Sequence, residues 1–148
     1  MKIILNKCFG GFTLSHIAFL HLCELKRIDV HAYLVKENEG TFQFKKIDKW
    51  YKTSNNLSEH IRYLKNELPK LELSLQENHN FLEYVNLDLD GANRADLDLI
   101  RTVEIFGGAA NTIYSKLTVV EIPDGNDFII HEYDGFESVV YGQNLGEA

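Results

Sequence analysis

Ile3, Ile4 and Leu5 form an unbroken apolar run, the pattern of a short strand covered on both faces. Gly10 and Gly11 follow. Without a Cβ they permit a sharp turn and the close approach of another surface. Leu14, Ile17, Ala18, Leu22 and Leu25 then recur at helical spacing, with Phe19, Leu20 and Cys23 on the other side. The spacing predicts a helix over residues 15 to 26, buried nearly all round and capped by Thr13 or Ser15. A strand–Gly-Gly–helix unit presents free backbone N–H groups at a helix start, where the macrodipole favours an anion. Phe9 and Phe12 flank the glycines. They serve either as core residues beside a tight turn or as cover for a flat ring.

Alternation returns between residues 29 and 47, where Val30, Ala32 and Leu34 are interleaved with His31, Tyr33 and Val35, and Phe42 and Phe44 with polar neighbours. Glu37-Asn38-Glu39-Gly40 supplies turn chemistry, so this stretch reads as a hairpin. The polar middle is harder to read. Ser54-Asn55-Asn56 signals a loop, Ser58 is placed to cap a helix through about Asn66, and Pro69 interrupts the pattern. Residues 81 to 87 alternate as a strand. Residues 88 to 94 read as a loop that lacks the later ligands of a calcium-binding EF-hand. Asp96 to Phe106 is the second firm helix, with Leu97, Leu99, Ile100, Val103 and Phe106 apolar and Gly107-Gly108 as its stop. Lys116 to Ile122 is the clearest strand, a short helical turn over Ala109-Ala110-Asn111 precedes it, and a second hairpin turns at Asp134-Gly135. Residues 142 to 148 read as a loose tail. Strands around two firm helices, with a third weaker one, predict a single α+β domain with a mostly antiparallel sheet.

The bulk properties narrow the function. A hydrophobic share of 45% and an aromatic share of 11% over 148 residues argue for one folded core. No apolar run approaches ~18 residues, so no membrane-spanning helix is expected. The start lacks a secretory signal pattern, and Cys8 and Cys23 make no disulfide or metal framework, so a cytoplasmic setting is expected. The net charge of −7 disfavours polymeric nucleic acid. It leaves room for a small anion held by one or two arginines.

Candidate chemistry is sparse. Arg94 lies in the loop before the second helix, where a guanidinium can grip phosphate bidentately or pair with Asp88, Asp90 or Asp98. Arg101 lies three residues from Asp98 and Glu104, the spacing of a helix-surface ion pair. It gains interest where that face closes a subunit interface. Asn93 and Asn111 offer an adenine edge both donor and acceptor, or fill turn and cap positions. Tyr114 stacks on a base or decorates a sheet surface. Lys45, Lys46 and Lys49 beside Trp50 and Tyr51 form a basic–aromatic cluster or a solvated strand end. His16 is expected on the surface and His21 hydrogen-bonded near the core. Cys8, at a strand end near a helix start, is the best nucleophile, yet no spacing pairs it with His16, His21 or His131. A buried apolar cysteine is the plainer reading.

Two stretches carry a family pattern: Met1-Lys2-Ile3-Ile4-Leu5-Asn6-Lys7-Cys8-Phe9-Gly10-Gly11-Phe12, and Arg94-Ala95-Asp96 followed by its helix and Lys116-Leu117-Thr118-Val119-Val120-Glu121-Ile122-Pro123. They resemble small proteins common in phage and prophage genomes, and within that set the chain is similar to the Thoeris anti-defence sponges. Leu97 stands where the pattern more often has proline. The resemblance does not cover residues 52 to 80. It implies a binder without catalysis or cofactor, active in the cytoplasm of an infected bacterial host. Such a binder captures glycocyclic ADP-ribose made by a TIR-domain enzyme, in pockets at the subunit interfaces of a dimer-based homo-oligomer, with separate binding of cyclic oligonucleotides as an added property. Set against that implication, the residues nominate Arg94 and Arg101 for the diphosphate. They nominate Phe9, Phe12 or Phe81 for stacking on adenine, Asn93 or Asn111 for its edge, and Gly10 and Gly11 for close approach. The alternatives from other classes are a cysteine- or nucleotide-acting hydrolase and a phage interaction protein without a small ligand.

Overall fold

A computed structural model of the chain describes residues 1–53 and 60–142, without the side chains of His79 and Phe81. In chain order it forms β1 (Lys2–Asn6), α1 (His16–Leu25), β2 (His31–Asn38), β3 (Thr41–Lys46), β4 (His60–Leu64), β5 (Glu72–Ser74), α2 (Leu75–Phe81), α3 (Leu97–Phe106), β6 (Leu117–Glu121), β7 (Asp127–Tyr133) and β8 (Phe136–Gly142). Short 3₁₀ turns at Gly91–Ala95 and Gly107–Ala110 flank α3. This is an α+β fold, and every described strand pairing is antiparallel. Its contacts fall into two compact units: Met1–Lys26 with the chain from Asp88 onward, and Arg27–Leu87.

In the first unit β1 pairs with β6 in unbroken register from Lys2↔Glu121 to Asn6↔Leu117. The apolar run at residues 3 to 5 needs cover on both faces, and both are covered. Ile3, Leu5 and Ile122 pack with Phe128, Ile130 and Val139 of the β7–β8 hairpin. Ile4 alternates to the other face, where α3 lies against β1 and β6. Ser15 caps α1, its hydroxyl accepting from Ala18 N at 3.4 Å. Asp96 caps α3, accepting from Leu99 N at 3.0 Å. Gly107 ends α3 at φ 54°, a conformation that costs glycine nothing sterically. The two helices pack against each other, and Ala18, Leu22, Leu99, Ile100 and Val103 are among their buried residues.

The histidine expectation is reversed. His16 is buried, because the first turn of α1 packs under the 107–110 turn. His21 meets Phe106 edge-on at 5.2 Å, and its Nε2 has no hydrogen-bond partner among the described residues. The apolar face of α3 is narrower than its composition suggests. Leu97 is exposed, while Thr102 is fully buried and returns its hydroxyl to Asp98 O at 2.8 Å.

The second unit is a four-stranded sheet in the order β4–β2–β3–β5. Tyr33, Val35, Phe44, Leu64, Leu68 and Leu73 form its core, with Phe42 and Leu82 packed against them. The buried Tyr33 hydroxyl accepts from Leu68 N at 3.0 Å. Two expectations fail here. The stretch read as a helix to Asn66 holds β4, paired with β2 from His31↔Leu64 to Val35↔His60. A free edge of β2 and a core seat for Leu64 override the local helical signal. The proposed cap Ser58 and the loop signal at residues 54 to 56 lie outside the described residues. The strand read at 81 to 87 reduces to one bridge, Leu64↔Tyr84. The preceding segment instead forms β5 and α2, whose start carries a capping box between Ser74 and Glu77. The predicted tail also shortens: Gly142 closes β8 opposite Asp127, and residues 143–148 lie outside the described residues.

Candidate functional site

Arg94 enters the first unit from the 3₁₀ turn before α3, and its side chain is only 3% exposed. Its nearest carboxylate in sequence is not its main partner. Nη1 and Nη2 donate to Glu137 Oε1 and Oε2 of β8 at 2.5 and 2.8 Å, a two-pronged pair. The other donors go to Leu89 O, to Ile4 O at 3.3 Å and to Asp90 Oδ1 at 3.5 Å. All five N–H groups of the guanidinium therefore have acceptors. The ring of Phe12 lies beneath it, 3.7 Å from centroid to guanidinium carbon. Glu137 Oε1 also accepts from Asn6 N at 2.7 Å. The Asn6 amide donates to Cys8 O and Gly135 O at 2.9 and 2.8 Å and accepts from Lys116 N at 2.8 Å. Lys7 Nζ reaches Glu137 O at 2.7 Å. Asn6, Arg94 and Glu137 thus tie the ends of β1 and β6, the 91–95 turn and the hairpin tip into one buried polar network.

This network also explains the glycines. A Cβ on Gly10 would fall 2.8 Å from Tyr114 Cα, and one on Gly135 would fall on the backbone of Gly10 and Gly11. The surface that approaches the glycine loop is thus the hairpin turn of the same chain. Thr13, Thr112 and Ser115 hold the far side of the loop: Ser115 Oγ donates to Thr13 O at 2.8 Å, and the two threonine hydroxyls meet at 2.6 Å.

Of the nominated residues the structure brings together Phe12, Arg94, Gly10 and Gly11. Phe9 lies nearby, 65% exposed, with its ring 5.2 Å from Phe136. Asn111 turns to β6, accepting from Leu117 N at 2.7 Å, a structural role. Asn93 is exposed in the 3₁₀ turn. Arg101 is exposed on α3 and forms no ion pair among the described residues, because Lys26 takes Asp98 at 3.5 Å and Lys2 takes Glu104 at 3.0 Å. Phe81 belongs to the Arg27–Leu87 unit, and its side chain lies outside the description. Glu137 and Asn6, the centre of the network, carry no sequence signal. Their partners lie on distant segments, and no spacing rule connects them.

A cleft of about 370 Å³ opens beside Arg94, lined in part by Asp90, Glu132 and Glu137, with Phe128, Ile129 and Ile130 as its apolar wall. Three carboxylates beside one fully partnered guanidinium make a poor phosphate seat in a single chain. The thiol of Cys8 makes no hydrogen bond to a histidine among the described residues. Burial pushes the Cys23 thiol up to about 11, which keeps it protonated and inert near neutrality. Among the described residues no cluster of three His, Cys, Asp or Glu side chains could hold a metal ion, and no helix is long and apolar enough to cross a membrane. At Lys45–Tyr51 the cluster is a solvated corner: Trp50 is exposed with Lys49 over its ring, and Lys46 pairs with Glu67 at 3.1 Å. No family model, curated protein or solved structure matches the chain.

Proposed function

We propose that the protein is a non-catalytic binder that captures a cyclic ADP-ribose-type immune signal, glycocyclic ADP-ribose, in the cytoplasm of an infected bacterium, acting as a homo-oligomer. One observation carries the reading. The two separate stretches on which the phage-protein resemblance rests meet in one piece of the fold, as β1 pairs with β6 along its length and Arg94 stacks on Phe12. A pattern shared by segments ~90 residues apart has a physical basis when those segments form one scaffold. In this reading Arg94 is a positioning residue that fixes the glycine loop. The ligand contacts fall to groups facing outward beside that scaffold, Phe9, Asn93 and Arg101, completed by a second subunit.

The test is direct. The protein is incubated with glycocyclic ADP-ribose, freed of unbound ligand and denatured, and the released material is identified. Recovery of intact ligand is the expected result. Release of a chemically altered product would establish an enzyme instead, and recovery of nothing would remove the sponge reading.

A further inference from the structure

The cleft beside Arg94 is a poor seat for an anion, but one of its walls is an open strand edge. Asp134 and Gly135 both have positive φ, so β7 and β8 close on a two-residue turn. The closing pair Tyr133↔Phe136 is then a hydrogen-bonded pair, and so, by alternation, are His131↔Ser138 and Ile129↔Val140. The N–H and C=O of Phe128 and Ile130 point the other way, from the edge of β7 that lines the cleft. They make no hydrogen bond among the described residues. Across the cleft stands the 91–95 turn. The outer edge of β1 is occupied by comparison, because Arg94 takes Ile4 O and Glu137 takes Asn6 N. β7 also contains neither the lysine nor the proline that commonly guards a free edge.

We propose that this edge binds an extended peptide segment of a partner protein, which adds to β7 as a further strand and carries basic and apolar residues in alternation. The added strand satisfies the outward groups of Phe128 and Ile130, and the two faces of β7 set which side chains it carries. Glu132 follows Phe128 and Ile130 on the inner face of β7, and Asp90 stands opposite, across the cleft. Glu132 gives one oxygen to Gly135 N at 3.0 Å, and its other oxygen has no partner among the described residues. The Asp90 side chain is exposed and meets Arg94 only at 3.5 Å. Glu137 is already neutralised by Arg94. The two carboxylates left over suit lysine or arginine at alternate peptide positions. On the outer face Ile129 and Tyr133 are exposed, an apolar border that the intervening peptide side chains cover. Phe9, Asn93 and Arg101 do not line the cleft, so this inference goes beyond the capture of a signal and does not depend on it.

The experiment titrates the full chain with a short fluorescent peptide of alternating lysine and valine and follows amide hydrogen exchange in the complex. Saturable binding is expected, with new protection at the amides of Phe128 and Ile130. The same peptide N-methylated along its backbone keeps its charges and loses its strand donors, and it should bind at least tenfold more weakly. A peptide of the same composition with its lysines in one block and its valines in another should be weakened likewise. Asp90→Asn combined with Glu132→Gln should cost the alternating peptide at least tenfold and leave the melting temperature near that of wild type, because the amide at the second position still offers an oxygen to Gly135 N. No binding of the alternating peptide overturns the proposal, as does protection confined to another edge. Equal binding of the N-methylated peptide overturns it too, since it would show mere attraction to a chain of net charge −7. Full affinity in the double variant has the same consequence.

Discussion

Arg94 is the residue whose meaning changes most between sequence and structure. Its three sequence-near carboxylates suggested a surface pair or a free phosphate fork, yet its partner Glu137 is 43 residues away and as buried as Arg94 itself. Removing one member of a buried pair leaves an uncompensated charge and costs ~3–5 kcal/mol. Arg94→Ala is therefore expected to lower the urea midpoint strongly, because Glu137 would keep Asn6 N and lose both guanidinium bonds. The double variant Arg94→Met, Glu137→Gln should recover much of that loss, since the amide oxygen still accepts from Asn6 and no charge stays buried. An Arg94→Ala protein that unfolds like wild type but fails to capture ligand would restore Arg94 as a phosphate contact. A guanidinium at a turn is visible in a sequence. The acceptor that claims it is not, because pairing across a fold follows three-dimensional register, and nothing local marks Asn6 or Glu137 as buried polar residues.

Elements were legible where their chemistry is local. Both hairpins turn through two residues of positive φ, Glu39 at 48° with Gly40 at 83°, and Asp134 at 49° with Gly135 at 87°, the geometry that their turn residues announce. The cap and stop of α3 were equally plain. β4 and the stretch after residue 81 were misread because the signals that decide them, a free edge of β2 and one cross-strand bridge, are absent from their own residues. The two turn glycines provide a controlled comparison. Nothing lies within 4 Å of a Cβ built on Gly40, whereas a Cβ on Gly135 meets the Gly10–Gly11 backbone. Gly40→Ala should cost only the left-handed conformation, ~1–2 kcal/mol, and Gly135→Ala clearly more. Equal losses in chemical denaturation would mean that the glycine loop is not held by the hairpin tip. The α3 cap predicts a pH effect. Burial raises the Asp96 pKa, but the Lys26 hydrogen bond and charge and the Leu99 N–H outweigh it and hold the carboxyl below its ordinary value. A depressed folded pKa gives stability that is present above the unfolded value of about 3.9 and is lost as pH falls through the folded one. The stability gap between wild type and Asp96→Asn, which keeps the capping oxygen, should therefore close as pH drops below about 4. A gap unchanged down to pH 2 would show that the charge contributes nothing.

At the scale of the molecule, the chain builds the first part of one unit, leaves it at Lys26 for the sheet of Arg27–Leu87, and returns at Asp88 to complete it. The resemblance falls on the discontinuous unit alone, and β4 and β5, which flank the legible β2–β3 hairpin, lay in the part of the sequence hardest to read. Self-association of a chain with charge −7 needs a face that is locally near neutral and apolar. The outer strip of α3 is such a face. Leu97, Arg101 and Ile105 follow one another at the four-residue spacing that aligns side chains on a helix. Leu97 is 69% exposed and Ile105 63%, more than solvent-facing positions of a solitary helix need. An antiparallel second copy would lay Leu97 on Ile105 of the partner subunit. The protein is therefore expected to scatter light at a multiple of its 17.0 kDa chain mass at micromolar concentration, and Leu97→Glu with Ile105→Glu should reduce that mass to one chain. Both substitutions replace exposed side chains, so thermal unfolding of the variant should stay cooperative. A wild type that scatters as a single chain would leave Arg101 a solvated surface residue and remove the shared pocket on which the sponge reading depends.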